Sequence, residues 1–363
     1  MKKTELYHTH LALNAKMISF GGYQMPLHYT SVKKEHIAVR ESLGVFDISH
    51  MGEFYISGPN AMYLLQYICS NDISKIQIGK AQYNYFPNYS GGVVDDLIVY
   101  RIEESKYLLV VNASNIEKDW NWIQNQNQKF NAKVENHSEK IALLAIQGPN
   151  AIEAMQQLTN ASIKKMSPYT HKTSSFAGFQ NVLIATTGYT GAGGIEIYIS
   201  VKEIKKVWQA IFEAGSQFGI VPVGLAARDT LRTEMGYCLY GNEISEITSP
   251  ISAGLGWITK PETNFINSKN IGNSKTNGTK DKLVGFIMDK RSIPRKGYII
   301  VNENENQIGS VTSGTQSPTL SQGIGMGYVN AKDSIPGKKI GIIIRERTCF
   351  ATIVPPPFIK SNH

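Results

Sequence analysis

Along most of the chain the apolar positions change spacing repeatedly, and each spacing predicts an element. In "SNIEKDWNWIQNQ", 114–126, Ile116, Trp120 and Ile123 recur at i, i+4 and i+7, which predicts an amphipathic helix. Ser114 with Glu117 three residues on has the form of a capping box at its start. "SVKEIKKVWQAIFEAGSQFG", 200–219, repeats the arrangement: Ser200 and Glu203 at the start, Ile204, Val207, Trp208 and Ile211 on one face, and Gly219 as a stop. Strand-like runs precede both helices, "KYLLVVNAS" before the first, "NVLIATTGYT" and "GGIEIYIS" before the second.

The pattern also echoes itself. "EFYISGPNAMYLLQ" at 53–66 and "LLAIQGPNAIEAMQ" at 143–156 both read strand, Gly-Pro-Asn-Ala, helix, 90 residues apart, with Pro59 and Pro149 suited to a first helical turn. Two similar α+β units in the first 270 residues are expected. Near 261–281 the chain turns polar, rich in Asn and Lys, as a connector would. Six short apolar runs follow, from "KLVGFIMD" to "CFATIVPPPF", divided by turn residues and with no helical spacing. They predict a β-barrel of about 80 residues.

Composition narrows the class. At 363 residues, 42% hydrophobic and 18% charged, the chain reads as a globular protein of two or three domains, with no run long enough to cross a membrane as a helix. The start, "MKKTELYHTHLALNAK", has no apolar segment or cleavage pattern behind its lysines, so we read it as mature sequence and expect a cytoplasmic protein. Cys69, Cys238 and Cys349 are far apart, which argues against a disulfide framework or a zinc site. The net charge of +8 favours an anionic partner without choosing one; the densest basic group, "DKRSIPRKG" at 289–297, lacks the aromatic interleaving of a nucleic-acid surface.

Candidate chemistry stands where packing alone would not place it. "GGVVDDLIVYR", 91–101, sets Asp95 and Asp96 inside an apolar strand. Neighbours on a strand face opposite ways, so the two cannot converge as one dyad, and whichever points inward must be bound by something. Glu196 interrupts "GIEIYI", where its carboxylate could accept two parallel N–H donors. Arg228 and Arg232 in "ARDTLRTEMGY" share a helix face, with Asp229 available for a local ion pair. Walker A, HExxH, G-x-S-x-G and CxxC motifs are absent; His8 and His10 have no second ligand cluster, and "GYTGAGGIE" reads as a hairpin turn.

Eight blocks carry a resemblance: "FGGYQMPLHY", "VFDISHMGEF", "GGVVDDLIVYR", "VVNASNIEKDW", "AIQGPNA", "TTGYTGAGGIEIYI", "ARDTLRTEMGYCLYGNEI" and "SVTSGTQSPTL". In order and over nearly the whole length, the chain resembles the glycine cleavage system T-protein (aminomethyltransferase) family. That resemblance implies an α+β, three-domain cloverleaf: two intertwined α+β folate-binding units, 1–52 with 140–275 and 53–139, making up 1–275, and a C-terminal β-barrel at 281–363. It implies transfer of the methylene carbon from the aminomethyl group on the lipoyl arm of H-protein to tetrahydrofolate, yielding 5,10-methylenetetrahydrofolate and ammonia. Tetrahydrofolate is then the co-substrate and lipoylated H-protein the partner, with no metal, nucleic acid or membrane involved.

By the same resemblance Asp96 is the functional carboxylate and Asp95 faces away, while Glu196 accepts the pterin 2-amino and N3–H edge and Arg228 contacts folate. Tyr83, Asn112, Tyr189 and Tyr100 are expected to line or contact the folate pocket. Tyr23 in place of Trp, Ala227 in place of Gly and "YGNEISE" depart from the family pattern and touch pocket shape more than its charged positions. The alternative is a folate-binding accessory protein of the same fold, of the iron–sulfur assembly type. Those carry K-G-C-Y-x-G-Q, where this chain has "MGYCLYGNE". Folate-dependent demethylases share the fold, as do sarcosine-type oxidases, whose flavin domain this chain has no room for.

Overall fold

A computed structural model describes residues 1–360; the last three residues of the predicted barrel segment, 361–363, lie outside the described residues. Two sheets, antiparallel except for the short edge strand Val221–Pro222, which pairs in parallel with Gly44–Asp47, are built to one plan. In the five-stranded sheet the order is Ala81–Pro87, Val93–Glu103, Lys106–Val111, Gly52–Ser57, Lys133–Asn136. In the six-stranded sheet it is His171–Phe176, Phe179–Ala185, Gly194–Ser200, Ile141–Gln147, Gly44–Asp47, Val221–Pro222. Each plan runs strand, Gly-Pro-Asn-Ala turn, helix (Ala61–Ile68 or Ala151–Met155), three-stranded meander, helix (Ile116–Asn127 or Ile204–Gly215). Backbone hydrogen bonds join the copies at their edges: Ala81 N–H donates to Tyr169 C=O and His171 N–H to Gly79 C=O, both at 2.8 Å. Lys80 pairs there with Thr170, at the same 90-residue offset as Pro59 and Pro149.

Strand periodicity sorts the apolar residues into three layers. Ala142, Leu144 and Ile146 pack outward with Val207, Trp208 and Ile211 of helix Ile204–Gly215. Leu109, Val111, Leu97 and Val99 pack outward on the other side with Leu64, Leu65 and Ile123. The alternate residues, Leu143 and Ala145 with Leu108 and Val110, form a core between the sheets. The chain therefore stacks helices, sheet, sheet, helices, and the space between the two sheets is where a cavity can open.

The six late apolar runs form the closed barrel Asp281–Met288, Gly323–Asn330, Gln307–Gln316, Ile299–Val301, Lys339–Ile344, Arg347–Val354 around Phe286, Ile300 and Ile342. Helix Leu225–Met235 ties it to the rest. Arg232, almost fully buried, pairs with Glu243 at 2.9 Å and reaches Ser313 of the barrel at 2.8 Å, while Glu234 accepts from Ser317 at 2.5 Å.

Several local expectations fail for identifiable reasons. The polar stretch 261–281 is not a bare connector: it holds the helix Ser268–Asn277, because its few apolar residues, Phe265, Ile266 and Ile271, are all buried and fold it back. Neither capping box forms. Ser114 lies in a 3-10 turn, Ala113–Asn115, and Ser200 closes a strand, so the helices begin at Ile116 and Ile204 without a side-chain cap. Pro59 and Pro149 precede the caps Asn60 and Asn150 and belong to the turn, not to the helix.

Candidate active site

The Gly-Gly pair of "GGVVDD" brings a distant segment against the start of its strand. Gly91 has φ +91°, and a Cβ on Gly92 would meet the Glu246 carbonyl oxygen at 1.8 Å. Val93 N–H then donates to Ser245 C=O at 3.0 Å, so residues 237–257 fold over the inter-sheet space and wall it. The result is a cavity of about 650 Å³. Asp96, Ile98 and Tyr100, alternate residues of one strand face, all line it, together with Glu196 and Tyr198 from the facing sheet.

Asp96 is gripped from two sides: Tyr83 O–H donates to Oδ2 and Asn112 Nδ2 to Oδ1, both at 2.9 Å. Burial first, and the charge of Asp95 second, push its carboxyl up to about 7. Asp95 points the other way, into the layer beneath helix Ile116–Asn127. It accepts from Asn112 N–H at 3.0 Å, Asn112 Nδ2 at 2.9 Å and Asn115 Nδ2 at 2.6 Å. The two aspartates face opposite sides of the sheet yet are joined through one amide, because Asn112 sits where its strand ends and its side chain reaches past the edge.

Glu196 is held by a chain of hydroxyls. Thr187 O–H donates to Oε2, Tyr100 bonds Thr187 at 2.9 Å, and Tyr198 bonds Tyr100 at 2.8 Å. Burial raises the Glu196 carboxyl, and the Thr187 bond and the Arg228 charge oppose it. A carboxylate has about four acceptor positions, so capacity for a ligand remains on both oxygens. Tyr100 lines the cavity, and its hydroxyl is engaged in this chain.

Arg228 reaches the cavity from the first turn of Leu225–Met235. That helix is anchored by Glu35, which accepts from Gly224 N–H at 2.9 Å and from Tyr29 and Thr30 N–H at 2.7 and 2.8 Å. The Arg228 guanidinium lies over the Tyr189 ring at 4.7 Å, and among the described residues no carboxylate pairs with it within ion-pair distance. Asp229 pairs with Arg232 instead, at 2.8 Å. A half-buried guanidinium without a carboxylate partner is a receptor for an anion or a carbonyl oxygen. Tyr189 O–H donates to Cys238 C=O and the ring stacks on Tyr237, so this tyrosine is part of the wall.

Several lining residues escaped the sequence reading, His50 and Trp257 among them. His50 is buried with Nδ1 unpartnered; burial, then Arg228, hold its imidazole down at about 4, so it is neutral. Trp257, 64% exposed, lies beside Tyr83 at the rim. The "DISHMG" block was the available signal for His50, but a histidine next to a strand end has no periodicity to mark it. Among the described residues no group of three His, Cys, Asp or Glu could hold a metal, and no helix is long and apolar enough to cross a membrane.

Comparison with known proteins agrees with this architecture over both parts of the chain. Residues 6–263 match the GCVT N-terminal domain and residues 282–360 the glycine cleavage T-protein C-terminal barrel domain. The chain belongs to the glycine cleavage T-protein family. An aminomethyltransferase of Flavobacterium psychrophilum is 52% identical over 99% of this chain and 100% of its own length, and one of Bacteroides fragilis is 52% identical over the same shares. The crystal structure of the glycine cleavage system aminomethyltransferase T of Bartonella henselae superposes with a TM-score of 0.93 at 31% identity, covering 99% of this chain and 98% of that one.

Proposed function

We infer that this chain is a tetrahydrofolate-dependent aminomethyltransferase of glycine cleavage. It moves the methylene carbon of the aminomethyl group on the lipoyl arm of H-protein to tetrahydrofolate, releasing ammonia and forming 5,10-methylenetetrahydrofolate. One observation carries the site assignment: two carboxylates, the half-buried Asp96 and the buried Glu196, and a guanidinium without a carboxylate partner, Arg228, line one cavity of about 650 Å³. That donor set suits a reduced pterin. Glu196 accepts its two-donor edge, Arg228 takes a carbonyl or the anionic tail, and Asp96 faces the reacting nitrogens.

The reduced pterin supplies the nucleophilic nitrogens; the chain supplies geometry and charge. Asp96, fixed by Tyr83 and Asn112, holds a folate N–H in line with the incoming carbon, and its carboxyl near 7 is matched to taking a proton at neutral pH. The Tyr198–Tyr100–Thr187 chain keeps Glu196 oriented. The low-dielectric walls strengthen every polar contact inside.

H-protein is the proposed partner. Lys290, Arg291, Arg295 and Lys296 are exposed, and Lys296 donates to Gly241 C=O at 2.6 Å and Asn242 Oδ1 at 2.8 Å, which sets this basic loop beside a residue that lines the cavity. An acidic lipoyl carrier would be steered there. The same reading places the protein in the cytoplasm, without a metal, and divides it into the folate-handling region 1–275 (1–52 with 140–275, and 53–139) and the barrel unit 281–363.

Aminomethyl-lipoyl H-protein and tetrahydrofolate are expected to give ammonia and 5,10-methylenetetrahydrofolate, with Asp96→Ala slower by about 100-fold or more. Turnover of dimethylsulfoniopropionate without turnover of the H-protein adduct would show a folate-dependent demethylase instead.

A further inference from the structure

Three carboxylates share one buried zone, and only Asp96 opens on the cavity. Asp119, on the inner face of helix Ile116–Asn127, is completely buried, and both of its carboxyl oxygens lack a hydrogen-bond donor. It lies in hydrogen-bonding contact with Asp95. The charged groups facing it are Asp95, Asp96 and Lys118. Lys118 is engaged elsewhere, donating to Tyr240 O–H at 2.6 Å with its ammonium 4.1 Å from that ring; Tyr240 covers the zone from the segment that walls the cavity.

Two touching, buried carboxylates cannot both stay ionised at reasonable cost, since each loses its hydration and each repels the other. One proton between them removes both penalties. The donors decide which oxygen carries it. Asp95 accepts three N–H bonds, at 3.0, 2.9 and 2.6 Å, that favour its anion, whereas Asp119 accepts none. Burial and the Asp95 charge raise Asp119 well above the ordinary carboxyl range, in the same direction.

We propose that Asp119 is a positioning residue that stays protonated at working pH and donates its O–H to Asp95, which, held ionised, pins the Asn112 amide that orients Asp96 toward the cavity. The proton is held, not transferred. Asp95 thereby remains a fixed negative charge beside Asp96, and Asn112, shared between the two, transmits the arrangement across the sheet.

The inference rests on Asp96 being the functional carboxylate, so the test includes a readout that needs no turnover. Infrared spectroscopy at about pH 9, far above an ordinary carboxyl, is expected to show a protonated-carboxyl carbonyl band that Asp119→Asn removes. The amide of Asp119→Asn still donates to Asp95, so the midpoint of its pH–rate profile is expected to match the wild type. Were Asp119 ionised, the same change would delete a negative neighbour and move the midpoint to lower pH. Asp119→Ala, which has no donor, is expected to lose roughly tenfold in kcat with KM for tetrahydrofolate kept; the near-isosteric Asn variant decides the matter should the Ala variant not fold. Absence of the band, an acid-shifted Asn profile or a wild-type kcat in a folded Ala variant would each overturn the proposal. An Asp96→Ala enzyme with wild-type kcat would end the Asp96 assignment, whereas a missing band ends this one.

Discussion

Tyr83→Phe removes one hydroxyl and almost no volume, and it isolates what tunes Asp96. The phenol donates to Oδ2 at 2.9 Å, while Asn112 keeps Oδ1 at 2.9 Å, so the variant should leave the carboxyl in place and strip half its support. A hydrogen bond to a charged group contributes about 1.5–3 kcal/mol, and one pKa unit corresponds to about 1.4 kcal/mol. Losing it raises Asp96 by about one to two units. Burial and the Asp95 charge already hold the carboxyl at about 7, so the variant titrates near 8 to 9. At neutral pH about half of the wild type is ionised, against roughly a tenth to a hundredth of the variant. The measurement is kcat against pH for methylenetetrahydrofolate formation with saturating aminomethyl H-protein. The acid limb should move up by one to two units or so, with most of the lost rate recovered at about pH 9. An unmoved limb, or one displaced toward acid, would refute the argument that this bond stabilises the ionised Asp96.

Three further outcomes follow from the same geometry. Asp96→Asn should be inactive yet more stable: the native carboxyl titrates at about 7 against an ordinary 3.8, so native stability falls as pH rises between those values, by up to about 4 kcal/mol above pH 7. Denaturant melts at about pH 8 should therefore favour the variant, and at about pH 3, where both states are protonated, the difference should vanish. Glu196→Gln should weaken tetrahydrofolate binding by about 1–3 kcal/mol in calorimetry, and unchanged affinity would remove Glu196 from the pterin site. Glu234 behaves in the opposite sense: burial pushes it up, but His36, Ser317 and Arg40 outweigh that and hold it at about 2, below an ordinary 4.5. Its stabilisation of about 3 kcal/mol is present above pH 4.5 and lost as pH falls toward 2, so Glu234→Gln should melt earlier at neutral pH and show a flatter acid dependence across that window.

Legibility from the sequence varied with how local the cause was. The barrel could be read because each of its short apolar runs stops on turn residues and none has helical spacing. The repeat could be read because both copies keep the same turn tetrapeptide. The helix Ser268–Asn277 could not: its pattern is polar, and only the burial of Phe265, Ile266 and Ile271 makes it fold back. Asp96 and Glu196 stood out because carboxylates interrupt apolar strands; spacing marked Arg228 only as one of two arginines on a face, and the family resemblance chose between them. The physical difference lies in the structure, where Asp229 from the same helix and Glu243 from the following turn claim Arg232. His50 and Asp119 had no periodicity to mark them.

The sequence by itself determined many of the strands, several of the helices, the doubled plan and the fact that Asp95 and Asp96 look opposite ways, because period, turn chemistry and strand pleat are properties of neighbouring residues. Tertiary structure decided that the two sheets stack face to face, that the space between them opens into a cavity, and that one asparagine joins both aspartates across the sheet. Those depend on which residues 15 to 100 positions apart come within about 3 Å. Burial then sets the charge state of each carboxyl, and burial belongs to the packed molecule, not to the residue.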